Sequence, residues 1–243
     1  LKGLNFEVKP GEFVMISGPS GCGKSTLMNI LNGWEEPTAG FVEIDGVDLF
    51  KLKEKEKIKT LRTSIGMMSQ AAFWVKSLSV IDNISIPFLL TGSTKSLAHS
   101  KGLELLSVLG LDRFANYKPM DLSGGQQQRI SFLRSLINNP KILLADEPTG
   151  NLDSKASDLM VDLFCSLNGK LGRTVVMVTH NPDLLTYASM VIYMKDGEVM
   201  KIQSKKRVCP SKVSEKQDIV ELFKENFGNI AKKLDTDEFM EVK

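Results

Sequence analysis

Short apolar runs recur along the chain and are separated by longer amphipathic stretches. The runs occupy residues 13–17, 41–44, 65–69, 142–145, 174–179 and 190–194. Runs of four to six apolar residues bounded by turn residues are typical of buried strands. Residues 25–31 and much of the chain between the later runs carry apolar positions at helical spacing. Strands that alternate with helices predict an α/β fold, with a mainly parallel sheet covered on both faces.

The longest helical stretch, residues 76–139, lies between two predicted strands and therefore reads as an inserted helical lobe. Gly92, Gly110 and Pro119 divide it into segments. Residues 51–62 are dominated by lysine and glutamate, which indicates a solvated connection or an exposed helix.

The end of the chain, residues 204–243, has a different pattern. Lys205, Lys206, Arg207 and Pro210 suggest a linker. Ser214 begins a predicted amphipathic helix, whose apolar face comprises Ile219, Leu222, Phe223, Phe227, Ile230 and Leu234. This helix either packs on the domain or contacts a membrane surface or partner through its lysines.

Composition narrows the function classes. The 243 residues are 42% hydrophobic and 25% charged, which is ordinary for a globular protein with one large domain or two small ones. The net charge of +2 is spread along the chain, so no global field indicates a nucleic-acid partner. Three scattered cysteines form neither a disulfide framework nor a CxxC metal site, which favours a reduced cytosolic setting. We also expect neither a membrane span nor a secretory signal.

Residues 18–25, GPSGCGKS, fit the phosphate-binding pattern G-x-x-x-x-G-K-[ST]. The motif follows a predicted strand and opens a predicted helix, the context in which backbone N–H groups bind a phosphate anion. Lys24 would contact the β- and γ-phosphates of a nucleotide, and Ser25 would ligate Mg²⁺. The predicted nucleotide-binding residues here are Gly18, Pro19, Ser20, Gly21, Cys22, Gly23, Lys24, Ser25 and Thr26.

The run at 142–147, ILLADE, ends in two carboxylates. Unpaired acids are tolerated at the end of a buried strand but not within it, and ligands of α/β sheets bind at the carboxyl edge. Asp146 is therefore predicted to join Ser25 in the Mg²⁺ site. Glu147 is predicted to accept a proton from an attacking water.

His180 and Gln70 each follow another predicted strand. His180 would hydrogen-bond the γ-phosphate and position the water, although a lone histidine is more commonly structural. Gln70 could contact Mg²⁺ or the water, although its spacing alone also allows a solvent-facing side chain.

The stretch LSGGQQQR, residues 122–129, begins a predicted helix with glycine in its first turn. Ser123 and Gln126 fit a capping box, but Gly124 and Gly125 each weaken a helix by about 1 kcal/mol relative to alanine. Exposed N–H groups at a helix N-terminus would make a second phosphate-binding site. If that site lies on an inserted lobe, two copies of the chain could each close Ser123, Gly124, Gly125 and Gln126 over the partner's nucleotide.

Taken in order, these motifs resemble those of ABC (ATP-binding-cassette) ATPases, and the resemblance covers roughly residues 1–203. Residues 18–26 resemble the Walker A motif, 122–126 the signature, 142–147 Walker B and 150–153 the D-loop. Gln70 and His180 match the Q-loop glutamine and the switch histidine. The segments LSGGQQQR and LLADEPTGNLD are similar to those of one branch of this family. That branch includes the lipoprotein-release, macrolide-export, cell-division and antimicrobial-peptide-resistance systems.

The resemblance implies a P-loop NTPase with a RecA-like core, an antiparallel β lobe, a helical lobe and a head-to-tail homodimer that encloses ATP and Mg²⁺. The adenine-stacking aromatic of the family lies upstream of a segment like residues 1–4. We therefore expect that segment and the first strand to be missing, or adenine to be bound otherwise. Met67, Met68 and Ser69 before Gln70, and Lys76 after it, depart from the family near the permease-docking region.

The function implied is an ATP-hydrolysing subunit at the cytoplasmic face of a cell membrane. It would power a permease that exports or extracts a lipid-like, peptide or drug substrate. A second hypothesis is an ATP-dependent tether or signalling ATPase that does not transport, as in the cell-division relatives. A DNA-repair or translation ATPase is disfavoured, because the chain has no long coiled-coil insertion, tandem cassette or basic-aromatic stripe.

Overall fold

A six-stranded sheet forms the centre of the computed structural model, which describes residues 1–205. Its strand order is β4-β5-β6-β1-β7-β8, and all neighbours are parallel except β7 and β8. These strands are β1 (Phe13–Ser17), β4 (Ile65–Met68), β5 (Ile142–Asp146), β6 (Thr174–Val178), β7 (Met190–Lys195) and β8 (Glu198–Ser204). The two short strands β2 (Glu43–Ile44) and β3 (Val47–Asp48) form a separate antiparallel hairpin.

Helices cover both faces of this sheet. They are α1 (Lys24–Leu31), α2 (Glu54–Ser64), α3 (Val80–Leu89), α4 (Lys95–Val108), α5 (Gly124–Leu136) and α6 (Ser154–Leu171). Among the described residues, no helix is long and apolar enough to cross a membrane.

Strand β1 contributes to two hydrophobic cores. Phe13 and Met15 lie in the larger core, with residues of α3, α4, α5 and α6. Val14 and Ile16 lie in the second core, with residues of α1 and the β2–β3 hairpin. This division follows from the pleat, because successive side chains of a strand point to opposite faces of the sheet.

Helix α5 packs directly on the edge strand β4. A Cβ atom at Gly66 would stand 2.2 Å from the carbonyl oxygen of Ser135, so only glycine permits this approach. The close contact fixes the C-terminal half of α5 against the sheet. Its N-terminal half, which carries the LSGGQ motif, extends away from that contact.

The predicted mainly parallel α/β fold is confirmed. Residues 51–62 mostly belong to α2, a surface helix without a buried residue, and the inserted stretch contains α3, α4 and α5. The pattern did not predict β3 or β8; β8 is an edge strand with mostly exposed residues, so it has no apolar run. The predicted helix after Ser214 lies outside the described residues, and the proposed boundary near residue 203 stays a prediction.

Candidate nucleotide site

The carboxyl ends of three neighbouring strands align at one edge of the sheet. Asp146 on β5 is in register with Val178 on β6, and Val178 is in register with Ile16 on β1. The next residues continue the pattern, since Glu147 donates its N–H to the Val178 carbonyl at 3.0 Å. The phosphate-binding loop follows β1 and the Asp146–Glu147 pair follows β5, so both predicted motifs lie at this edge.

The phosphate-binding loop joins β1 to α1 and approaches the sheet closely. A Cβ atom at Gly18 would stand 2.2 Å from the Met194 carbonyl oxygen on β7, so the loop needs glycine there. Gly23, at the N-terminus of α1, has a φ of 100°, and this backbone conformation is unfavourable for residues other than glycine. Lys24 Nζ donates to the carbonyl oxygens of Gly18 and Pro19 at 2.8 and 2.9 Å. The lysine thus lies across its own loop.

Asp146 and Lys24 interact electrostatically across this edge. Burial raises the pKa of Asp146 above its usual value, the negative charge of Glu147 raises it further, and the positive charge of Lys24 opposes both. A nearby positive charge favours the ionised form of the Asp146 carboxyl, and Lys24 supplies part of that charge.

The donor set at this edge fits Mg²⁺. Within residues 1–205 no cluster of three or more His, Cys, Asp and Glu side chains could hold a metal ion. Mg²⁺ does not require one, because it commonly binds one or two carboxylates together with substrate phosphates and waters. Asp146 offers a partly buried carboxylate, and Ser25 offers an exposed hydroxyl in the first turn of α1.

Glu147 contacts His180. Oε2 of Glu147 lies 2.7 Å from Nδ1 of His180 and also accepts the backbone N–H of His180 at 3.3 Å. Glu147 has a positive φ of 47°, which is uncommon for a residue other than glycine and is associated with functional sites. The expectation that His180 would face a γ-phosphate did not include this contact with the predicted base.

Gln70 lies beyond the end of β4, close to the segment that follows Glu147. Its Nε2 atom would be 3.1 Å from a Cβ atom built at Gly150, and Gly150 donates its N–H to the Glu147 carbonyl at 3.1 Å. The backbone oxygen of Gln70 accepts a hydrogen bond from Gln128 Nε2 at 2.8 Å. Gln70 therefore lies close both to Gly150, three residues after Glu147, and to α5.

The LSGGQ segment forms the predicted capping box. Gln126 N–H donates to Ser123 Oγ at 3.3 Å, and Ser123 N–H donates to Gln126 Oε1 at 2.8 Å. A Cβ atom at Gly124 would have nothing within 4 Å, whereas one at Gly125 would stand 3.3 Å from Ala156 Cβ. Gly124 therefore faces open space, and nothing else in the described part of the chain uses its bare surface.

The two glycine-rich segments of one chain lie on different parts of the molecule. Strands β5 and β6 lie between β1, which leads into the phosphate-binding loop, and β4, on which α5 packs. Three strand spacings amount to about 14 Å. Gly125 lies a further ten residues along α5 from Ser135, about 15 Å of helix.

Three contacts at the site have no counterpart in the sequence prediction. Trp74 donates its indole N–H to Gln127 at 2.9 Å, and the Arg134 guanidinium carbon lies 4.5 Å from the centroid of the Trp74 ring. Asp153 caps α6 by accepting the N–H of Ala156 at 2.8 Å. The Asp153 cap has a local signal, an aspartate before a helical pattern. The Trp74 contacts join residues far apart in the chain, so no local spacing could reveal them.

Comparisons with known proteins agree with this arrangement. Residues 1–150 match the family described as ABC transporter. The uncharacterized ABC transporter ATP-binding protein MJ1508 of Methanocaldococcus jannaschii is 44% identical over 205 residues, which cover 84% of this chain and 91% of that protein. The lipoprotein-releasing system ATP-binding protein LolD of Bacteroides thetaiotaomicron is 39% identical over 201 residues, 83% of this chain and 92% of the relative.

A solved structure gives the same result for the fold. The ATP-binding cassette MJ0796 of Methanocaldococcus jannaschii, described as a dimer in a post-hydrolysis state bound to ADP and phosphate, superposes with a TM-score of 0.78. It is 40% identical, and the match covers 86% of this chain and 91% of that one. The chain therefore belongs to the ABC transporter family, as an ATP-binding subunit with the fold and activity of an ABC ATPase.

Proposed function

We propose that this ATPase works as a head-to-tail homodimer that powers a membrane permease. The observation that carries the dimer is the open surface of Gly124, on a helix N-terminus remote from the phosphate-binding loop of its own chain. A second copy turned by a two-fold rotation can bring that N-terminus to the first copy's nucleotide. The dimeric ADP and phosphate complex of MJ0796 supports the same assembly for this chain.

In this dimer the phosphate-binding loop of residues 18–26 holds the triphosphate of ATP. Lys24 exchanges the carbonyl oxygens of Gly18 and Pro19 for phosphate oxygens. The segment Ser123, Gly124, Gly125 and Gln126 of the other copy adds backbone N–H groups to the γ-phosphate. Ser25 and Asp146 would hold Mg²⁺, and Gln70 would contribute its side-chain oxygen to the same ion. When bound, Mg²⁺ neutralises charge on the β- and γ-phosphates.

Glu147 is the proposed general base. Its side chain is only 14% exposed, and His180 contacts one of its carboxylate oxygens through both its side chain and its backbone. A carboxylate fixed in this way can orient a water molecule in line with the γ-phosphate and accept its proton. We assign His180 the role of positioning Glu147, in addition to contacting the γ-phosphate.

The segment after Gln70 supports contact with a permease. Phe73 is 69% exposed and Val75 is 45% exposed, and they lie three and five residues after Gln70 of the candidate nucleotide site. Exposed apolar side chains that lie close together are a feature of protein–protein contact surfaces. The proposed partner is an integral membrane permease, which places the chain at the cytoplasmic face of the cell membrane. The proposed substrate is lipid-like, a peptide or a drug, and it is exported or extracted from the membrane. The likeness to the lipoprotein-releasing protein LolD supports the first of these substrate classes.

The test begins with a search of the neighbouring genes for a permease, followed by co-expression with that permease and reconstitution of the complex in lipid vesicles. We expect co-purification and ATP-dependent movement of substrate, both by the native complex, with no movement by a complex that carries Glu147→Gln. ATP hydrolysis that never changes substrate distribution would contradict transport and favour the tether hypothesis. If the chain neither co-purifies with a permease nor dimerises with ATP, both the transport hypothesis and the tether hypothesis are refuted.

A further inference from the structure

Trp74 connects the segment after Gln70 to the start of the LSGGQ motif. Its indole Nε1–H donates to Gln127 Oε1 at 2.9 Å, and Gln127 Nε2 donates to the backbone oxygen of Leu122 at 3.0 Å. A carboxamide has one acceptor and one donor end, and this geometry uses each end for one partner. The bridge Trp74–Gln127–Leu122 therefore has a single orientation. Leu122 directly precedes Ser123 of the proposed phosphate contact.

Arg134, two turns further along α5, holds the same tryptophan from another side. Its guanidinium carbon lies 4.5 Å from the centroid of the Trp74 ring, and its side chain donates to the Phe73 carbonyl at 2.7 Å. Arg134 is partly buried, whereas its hydrogen bond to Phe73 lies at the exposed surface. The partial burial of the guanidinium group favours its cation–π contact with the Trp74 ring. The ring and the backbone before it are thereby fixed to α5.

Gln128 makes the third connection between α5 and this segment. It is 5% exposed, and its Nε2 donates to the Gln70 carbonyl at 2.8 Å. The side chain of Gln70 meanwhile lies against Gly150, beside the Glu147 segment. Gln70 is thus held to α5 by its backbone, and its side chain reaches the nucleotide site.

The far end of the segment is held independently by Asn83. This fully buried side chain accepts the Val75 N–H at 2.9 Å and donates to the carbonyl oxygens of Val75 and Ser79 at 3.1 and 2.9 Å. Residues 70–75 are therefore anchored to the helical lobe at both ends. Phe73 between these anchors stays exposed.

We infer that Trp74 is a positioning residue for ATP hydrolysis: through Gln127 it sets where Leu122 and Ser123 stand relative to Gln70. The inference rests on the proposed dimer, because the Ser123 segment acts there on the partner's nucleotide. Residues 70–75 could be shifted by nucleotide binding at Gln70 or by a partner that binds Phe73. In either case, the hydrogen bond between Trp74 and Gln127 would transmit the shift to the LSGGQ segment.

The experiment compares Trp74→Phe with the native chain. Phenylalanine keeps an aromatic ring for Arg134 but lacks the N–H donor. Dimerisation is measured in a Glu147→Gln background, with and without ATP and Mg²⁺, and turnover is measured without that background change. We expect monomer affinity for ATP, measured below the dimerisation concentration, to stay within twofold. The dimer dissociation constant should rise and turnover at saturating ATP should fall, each at least fivefold.

Two further variants separate positioning from general damage. Trp34→Phe removes the other tryptophan, which is 64% exposed and lies outside this segment, and should change none of these quantities. Gln127→Leu should resemble Trp74→Phe, and the double variant should be no worse than Gln127→Leu alone, because both changes remove the same bridge. Thermal melting of each variant reports folding separately.

The outcomes distinguish the two proposals. A Glu147→Gln chain that shows no ATP-dependent dimer refutes the proposed dimer, and this inference with it. A normal dimer and normal turnover in Trp74→Phe, or additive effects in the double variant, refute the Trp74 role alone.

Discussion

The Nδ1 atom of His180 lies 2.7 Å from Oε2 of Glu147, although 33 residues separate the two in the chain. Glu147 makes this contact from a backbone conformation with a positive φ. The residue proposed as general base is therefore placed by its own strand β5 and also by the neighbouring strand β6, which ends two residues before His180.

Replacing Glu147 by glutamine should separate ATP binding from hydrolysis. Glutamine preserves the shape and can still contact His180, but it cannot accept a proton from water. We expect turnover to fall by at least about 100-fold, the range attributed to general bases, while ATP still produces a dimer. Phosphate release and size-exclusion chromatography measure the two quantities. Near-native turnover would contradict the role of Glu147.

Replacing Gly124 by alanine tests whether its bare surface serves another copy. The added methyl group meets nothing within 4 Å in the chain itself, and alanine favours a helix by up to about 1 kcal/mol over glycine. The folded monomer should therefore be equally or more stable. The ATP-dependent dimer should nevertheless weaken, and turnover should fall at least about tenfold, equivalent to about 1.4 kcal/mol.

Thermal melting and dimerisation of Gly124→Ala are measured on the same samples. Stability that is retained together with a lost dimer supports contact with the partner's nucleotide. Turnover equal to that of the native chain would show that the surface of Gly124 faces no phosphate.

Replacing Lys101 by methionine should stabilise the helical lobe. Lys101 is 6% exposed, and its Nζ atom has no hydrogen-bond partner among the described residues and lies 4.1 Å from the centroid of the Phe88 ring. Burial lowers its pKa from 10.5 to about 8, and the charge of Glu104 opposes this only partly. Methionine removes the buried charge, and we expect the free energy of unfolding at pH 7 to rise by about 1–2 kcal/mol.

The pH dependence of this gain has a definite sign. Between about pH 8 and 10.5 the unfolded chain keeps the Lys101 proton that the folded chain has lost. The native protein therefore gains stability with rising pH across this window relative to Lys101→Met. Urea unfolding at pH 7 and at pH 10 measures it. A difference between the two proteins that does not shrink at the higher pH would contradict the explanation.

Asp82 should contribute stability that disappears in acid. Its pKa is lowered from 3.8 to about 2, first by the hydrogen bond from Ser79, then by His99 and Lys95, against the opposing effect of burial. The contribution is complete above about pH 4 and is lost as pH falls through about 2. Asp82→Asn should lower the free energy of unfolding at pH 7 by about 1 kcal/mol, typical of a helix cap.

The matched control for Asp82→Asn is Asp158→Asn on the exposed surface of α6, where we expect little change. Unfolding is followed at pH 7 and at pH 2.5. A loss in Asp82→Asn that is equally large at both values would show that the charge of Asp82 is not its source.

The apolar runs predicted most of the sheet because buried parallel strands need continuous hydrophobic residues. They could not predict the strand order: β6 lies between β5 and β1, although β1 comes much earlier in the chain. Strand β8 escaped prediction because Met200 and Ile202 are exposed on it and no apolar run exists. Pairing with β7, not burial, holds β8 in place.

The parts of the candidate site that consist of one continuous sequence motif could be predicted from the sequence. The phosphate-binding loop and the Ser123 capping box depend on residues close together in the chain, so their spacing contains the information. The contacts of Glu147 with His180 and of Trp74 with Gln127 depend on strand order and helix packing. Nothing in the local spacing of either pair distinguishes such a contact from two unrelated polar residues.

Strand β1 leads straight into the phosphate-binding loop, and its alternate side chains enter opposite cores. A packing defect in either core, even one far from any catalytic group, would thus displace the start of the phosphate-binding loop. Weakened nucleotide affinity in a variant is consequently no proof of a direct contact with ATP. Screens for binding-deficient variants of this protein will also select substitutions such as Phe13→Ala, whose only fault is poor packing.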